Sequence, residues 1–243
     1  MKRFLFILIA LSCVASMAFA ASESLLSFRR SQEFFQSGRM QGIMWVNLAA
    51  SDTNSIAPNI QLDSASTGTH TFTAAEIAAL HGSGTTMGRG TNGLARAVSL
   101  NIFSMNATDA DIKVGTLKVD GTNILGASVS ETFTITADTE NSQQGAVAFA
   151  TLTSFSYTAM DDDSVAVSIG VGNKIGLWNT LPTDTMIFAG NGTSADASAA
   201  ITPDDDEIEK CVIDFDTDPT GTSDHSVLYW IPPFAAATAV TGY

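Results

Sequence analysis

The chain has 243 residues, enough for one large domain or two modest ones, and its 11 Lys+Arg against 25 Asp+Glu give a net charge of −14. That balance repels nucleic-acid backbones and anionic membrane surfaces, so neither is expected as a partner. Charged residues make up only 15%, below the roughly 25% of an average domain; threonine, serine, alanine and glycine replace them, which suits a strand-rich extracellular or particle-surface protein.

The first twenty residues read as a signal peptide. Lys2 and Arg3 form a positive start, Phe4 to Ala15 is an apolar stretch broken only by Ser12 and Cys13, and Ala18-Phe19-Ala20 supplies small residues at −3 and −1. The stretch is shorter than the roughly 20 residues that span a bilayer. Cleavage would start the mature chain at Ala21, remove two bases and no acid, and leave nine bases against 25 acids, or −16. Cys211 would then be the one remaining cysteine, so no intramolecular disulfide is expected despite export. Its alternation with Ile213 and Phe215 reads as a buried thiol.

Residues 21–93 form a mixed region. From Ala21 to about Gly42, Leu25, Leu26, Phe28, Phe34 and Phe35 sit among Arg29, Arg30, Gln32, Glu33 and Gln36. This segment is either a short helix or an arm that docks elsewhere. Met44–Leu48 and Ile60–Leu62 read as short strands. Thr73-Ala74-Ala75-Glu76 fits a capping box, and Ile77, Ala78 and Leu80 continue one short helix before Gly82. Gly82–Gly93 is a glycine-rich connector. Within it Gly88-Arg-Gly-Thr-Asn-Gly93 has nucleotide-loop spacing, but Leu94 onward reads as a strand, so no helix N-terminus follows to hold a phosphate.

Residues 94–180 read as an antiparallel β-sandwich. Strands are predicted near Ala97–Ser104, Lys113–Val119, Glu131–Ala137, Ala146–Tyr157 and Val165–Val171. The period of two is plain where Val165, Val167, Ile169 and Val171 alternate with Ala166, Ser168 and Gly170. Asp120-Gly121 is a turn pair after Val119. The apolar parity changes between Ile112, Val114 and Leu117, Val119, which predicts a bulge near Gly115. Residues 181–243 read as a smaller β unit, with strands at Cys211–Phe215 and Ser226–Ile231 and an extended tail from Pro232.

Gly115-Thr-Leu-Lys-Val-Asp-Gly-Thr122, Glu131-Thr-Phe-Thr-Ile135, Val147-Ala-Phe-Ala-Thr-Leu-Thr-Ser-Phe155 and Val167-Ser-Ile-Gly-Val-Gly-Asn-Lys-Ile-Gly-Leu177 follow in order, with Gly221-Thr-Ser-Asp-His-Ser-Val-Leu-Tyr229 at the end. This succession, over roughly Ala97 to Ile231, resembles β-rich structural proteins of tailed-bacteriophage virions, of the head-decoration or head-fibre type. The resemblance implies a structural role and contains no catalytic residue.

The residues that could carry chemistry do not form a strong constellation. Asp224-His225-Ser226 has the types of a hydrolase triad, but neighbours on a strand point to opposite faces. His70, His81 and His225 are far apart and lack zinc-ligand spacing. Asp214, Asp216 and Asp218 alternate, with Asp224 beyond, as hard-cation ligands would. Pro219, however, falls where a calcium loop needs glycine, and the closing glutamate is missing. Asp161-Asp162-Asp163 and Asp204-Asp205-Asp206-Glu207 read as solvated turns. Trp45, Trp178 and Trp230 are core or interface anchors.

The expectation is therefore an all-β, antiparallel, jelly-roll-like sandwich with a smaller C-terminal β unit and one short helix. No catalytic, cofactor-binding or metal-binding residue is assigned. The expected role is a non-enzymatic virion decoration or fibre component that self-associates and docks on other structural proteins of a particle. The alternative is a secreted cell-surface adhesin or filament subunit. Export to the exterior follows from the leader, and the virion surface from the resemblance.

Overall fold

The computed structural model describes residues 39–62, 66–81, 85–86, 94–106, 109–160, 164–192, 194–216 and 218–232. The leader 1–20, the arm to residue 38, residues 82–84 and 87–93 of the connector, Asp161–Asp163 and the tail beyond 232 lie outside these ranges. Within them the protein is all-β, antiparallel and sandwich-like, with one α-helix.

Three sheets make the frame. The terminal sheet is ordered β12 (Ser194–Ala195), β11 (Met186–Asn191), β15 (His225–Ile231), β1 (Arg39–Val46), β4 (Thr85–Thr86). The central sheet runs β13 (Ala200–Thr202), β14 (Val212–Asp214), β10 (Val165–Gly176), β5 (Arg96–Ser104), β8 (Asn141–Gln144), with β2 (Asp52–Gln61) also on β10. The third sheet is β3 (Gly68–Thr71), β9 (Thr151–Tyr157), β6 (Gly115–Thr122), β7 (Ser128–Ile135). The expected boundaries near 93 and 181 are crossed by these sheets. β1 and β4 join the C-terminal strands, β2 and β3 join the sandwich, and β13 and β14 extend the central sheet.

β10 explains this continuity. Its twelve residues serve two cores: Val165, Val167, Ile169 and Val171 pack with Leu117, Val119, Phe133 and Phe155, while Ile175 packs with Trp45, Cys211, Ile213 and Tyr229. Each such side chain contributes on the order of 1.5–3 kcal/mol by leaving water. The small face of β10 is buried too, because the start of β2 lies against it. A Cβ on Gly170 would sit 1.8 Å from the Asp52 carbonyl oxygen, so only glycine allows that approach.

The helix α1 (Ala74–His81) forms as its cap predicts. Thr73 N–H donates to Glu76 Oε2 at 2.6 Å, and Glu76 N–H donates to Thr73 Oγ1 at 3.3 Å.

The structure corrects several sequence expectations. Asp120-Gly121 is not a turn; both residues lie inside β6. The reversal falls at Asn123–Gly126, where Asn123 Oδ1 accepts from the Leu125 and Ala127 N–H groups and Gly126 takes φ +81°. Gly121 is needed because a Cβ there would meet the Thr151 carbonyl at 2.1 Å. The predicted bulge is also displaced. The β6–β7 ladder is unbroken from Gly115↔Ile135 to Thr122↔Ser128, and the shift lies between Asp120 and Gly121 on the β9 side. Ile112 and Val114 precede the strand, Ile112 buried and Val114 71% exposed, so their parity belongs to a loop. Strand ends move as well: β9 starts at Thr151 and not Ala146, β2 starts at Asp52 and not Ile60, and β1 starts at Arg39 within the segment read as an arm.

Candidate assembly surfaces

The outer face of the β3-β9-β6-β7 sheet is a field of hydroxyls. Alternation sends Leu117, Val119, Phe133 and Phe155 inward, leaving rows of polar partners outside. One row is Thr69, Ser156, Lys118 and Thr132; the next is Thr71, Ser154, Asp120 and Ser130. Lys118 Nζ meets Asp120 Oδ1 at 2.6 Å, both half exposed, an ion pair worth under about 1 kcal/mol. A shallow groove of about 300 Å³ runs past Thr69, Thr116, Lys118, Ser156 and Tyr157. A second hollow of about 250 Å³ holds Asp120, Ser128 and Ser130. The charged groups in these hollows are Lys118 and Asp120, already paired with each other, so neither hollow presents a free acid–base couple.

The outer face of the terminal sheet is different. Met40 pairs with Trp230, Gly42 with Leu228 and Met44 with Ser226, while Phe188 on β11 pairs with Leu228. Paired residues share a face. Met40 is 40% exposed and Phe188 46%, and no outward residue of these rows is charged. An exposed apolar face of this kind is a candidate contact surface.

Two polar groups, the half-buried Glu131 and the buried Arg96, hold the frame, and the sequence reading missed both. Glu131 on β7 closes the seam between sheets: its carboxylate accepts from Ala146 N–H at 2.5 Å and Val147 N–H at 3.4 Å. Burial raises this carboxyl, more than the two backbone hydrogen bonds and Lys174 lower it. Beside it Gln143 Nε2 donates to the Thr134 carbonyl at 2.8 Å. Arg96 is fully buried where β5 meets the two cores. Its guanidinium donates to the Ala49 carbonyl at 2.7 Å and the Gly172 carbonyl at 2.6 Å. Burial pushes it down to about 10, opposed by the charge of Asp218. The one available signal was a single arginine inside the apolar run Leu94–Ile102.

The residues singled out from sequence do not converge. His225 is buried with its ring 4.8 Å from that of Phe215, while Asp224 Oδ1 accepts from Asn47 N–H at 3.2 Å. The strand pattern places Ser226 on the opposite side from His225. His70 Nε2 lies 3.1 Å from Glu76 Oε1 and edge-on to Phe72. Burial alone would raise Glu76, but hydrogen bonds from Thr73 and the neighbouring His70 outweigh it and leave the carboxyl lowered. Cys211 is buried and its thiol is pushed up to about 11, chiefly by burial. Asp204 Oδ1 accepts from the Asp206 and Glu207 N–H groups, which makes that acidic run a hydrogen-bonded turn. Asp214 is raised, by burial first and then by Asp218 against the pull of Lys174. Among the described residues, no group of three or more His, Cys, Asp or Glu is placed to hold a metal ion. Trp45 and Trp178 are core residues, and Trp230 lies on the outward rows of the terminal sheet. The Gly88–Gly93 motif lies outside the described residues, as does Asp161–Asp163.

No family model, curated protein or solved structure matches this chain. Among the described residues no helix is long and apolar enough to cross a membrane.

Proposed function

We propose that this chain is a non-enzymatic structural component of a virion, of the head-decoration or fibre type, which self-associates and docks on other proteins of the particle. One observation carries the reading: among the described residues, the side chains best equipped for chemistry are tied into the frame. Glu131 latches a seam, Arg96 ties loops to the central sheet, Glu76 caps a helix, His225 packs on Phe215 and Cys211 sits in a core. The outer face of the β3-β9-β6-β7 sheet presents rows of hydroxyls suited to contact. The succession of strand and turn motifs from Gly115 to Tyr229 supports the phage assignment.

The test is density-gradient fractionation of particles from producing cells, with mass spectrometry of the fractions. The chain should co-band with particles at a fixed copy number. Recovery only as free protein in the medium would refute the particle assignment.

The leader-like residues 1–20 favour a second reading, a secreted adhesin or filament subunit at the cell surface. That reading requires a mature N-terminus at Ala21 and material on cells or in the medium, and the same mass spectra report both.

A further inference from the structure

We propose that the apolar outer face of the terminal sheet is the seat of this chain's own N-terminal segment, with Leu25, Leu26, Phe28, Phe34 and Phe35 as the groups that cover it. The face is built by Met40, Met44 and Val46 on β1, Leu228 and Trp230 on β15, and Phe188 on β11. Gly42 keeps the middle of the face low: without a Cβ, which would stand in ordinary contact with Leu228 Cδ1 at 3.8 Å, it leaves the flank of Leu228 uncovered between Met40 and Met44. Phe188 lies over Gly190, whose missing side chain leaves room for the ring.

Size decides between a second copy and a short segment. Three strands of about seven residues present roughly 300–350 Å² at strand spacing. A stable dimer needs about 800 Å² from each partner. The face is too small for the one and fits the other.

The tether decides which segment. Residues 21–38 join β1 directly at Arg39, whose rung on Ile231 borders Met40 and Trp230. Ser37-Gly38 sits at the junction, and glycine tolerates the reversal needed to run back over the sheet. Fully extended, those residues reach about 60 Å, well beyond the roughly 20–25 Å width of a five-stranded sheet. Charge agrees: Arg29 and Arg30 balance Glu23 and Glu33, so the segment is neutral in a strongly acidic chain, and the face carries no charge to oppose it. A tethered segment also binds at a high effective concentration.

Methionine oxidation tests this on the intact protein. Met40 is the reporter, and Met105, 46% exposed and remote from the terminal sheet, is the internal control. Peroxide oxidation is read by peptide mass spectrometry in the chain beginning at Ala21, in a chain lacking residues 21–36, and in a full-length variant carrying Phe34→Asp and Phe35→Asp. Met40 should oxidise about five-fold faster in both altered chains, with Met105 unchanged, because susceptibility follows exposure. The full-length substitution guards against misfolding of the deletion. Equal Met40 rates in all three proteins overturn the proposal. Protection that disappears on dilution also overturns it, because the covering segment would then come from another copy, whereas a tethered segment is insensitive to concentration.

Discussion

Glu131 on β7 accepts a hydrogen bond from the Ala146 backbone at 2.5 Å, joining two sheets where no ladder does. Removing the carboxylate in Glu131→Ala leaves the Ala146 and Val147 N–H groups without that acceptor, at a cost of about 2 kcal/mol. Glu131→Gln keeps one acceptor oxygen and should lose about half as much. Because burial raises this carboxyl, the folded state takes up its proton more readily than the unfolded chain. The stability gap between wild type and Glu131→Gln therefore moves in favour of wild type as pH falls from neutrality through the raised range. Urea denaturation at pH 7 and pH 5 measures it, and a gap independent of pH contradicts the assignment.

Arg96 should be intolerant of an apolar replacement of similar length. Arg96→Met leaves the Ala49 and Gly172 carbonyls without their donor in a buried site, so unfolding should become easier by about 3 kcal/mol. Arg96→Lys should be milder but still destabilising, since one ammonium replaces a planar fork. Denaturation midpoints report both. A methionine variant as stable as wild type would show that the guanidinium is dispensable to the frame.

The cap on α1 gives a third expectation with a defined pH sign. Thr73→Ala or Glu76→Gln should cost about 1 kcal/mol of stability. Glu76 is held below its ordinary value of 4.5, so its contribution is complete above that pH and disappears as pH falls through the lowered value. Thermal melts of wild type and Glu76→Gln should differ at pH 7 and converge in strong acid.

Cys211 should be silent to thiol reagents while the protein is folded. Its thiol is buried and pushed up to about 11, so almost no thiolate exists at pH 8. Labelling with a chromogenic disulfide should appear only with denaturant, at the rate of unfolding. Prompt labelling of native protein would mean that its core packing is open.

Much of the frame was legible because the relevant signals are local. The valine alternation of β10, the Thr73–Glu76 cap and the Cys211, Ile213, Phe215 series all follow from neighbours within a few residues. Errors arose where distant contacts override local preference. Asp120-Gly121 has turn chemistry, yet the Thr151 carbonyl pressing on Gly121 keeps it in a strand. β2 is polar, contains Pro58 and was seen only at its end, because its place is set by the small residues of β10. Nothing near Met40 announces that it pairs with Trp230 almost two hundred residues away. The outward faces were less legible than the cores, since hydroxyls and methionines acquire meaning only when strands from remote segments align.

Rebinding to particles tests the proposed structural role most directly. Purified chain beginning at Ala21, added to particles from a strain lacking the protein, should bind to saturation at a fixed copy number per particle and sediment with them. Saturable, stoichiometric recovery in the particle band is the predicted result; a chain that stays wholly in the supernatant at every concentration would contradict it.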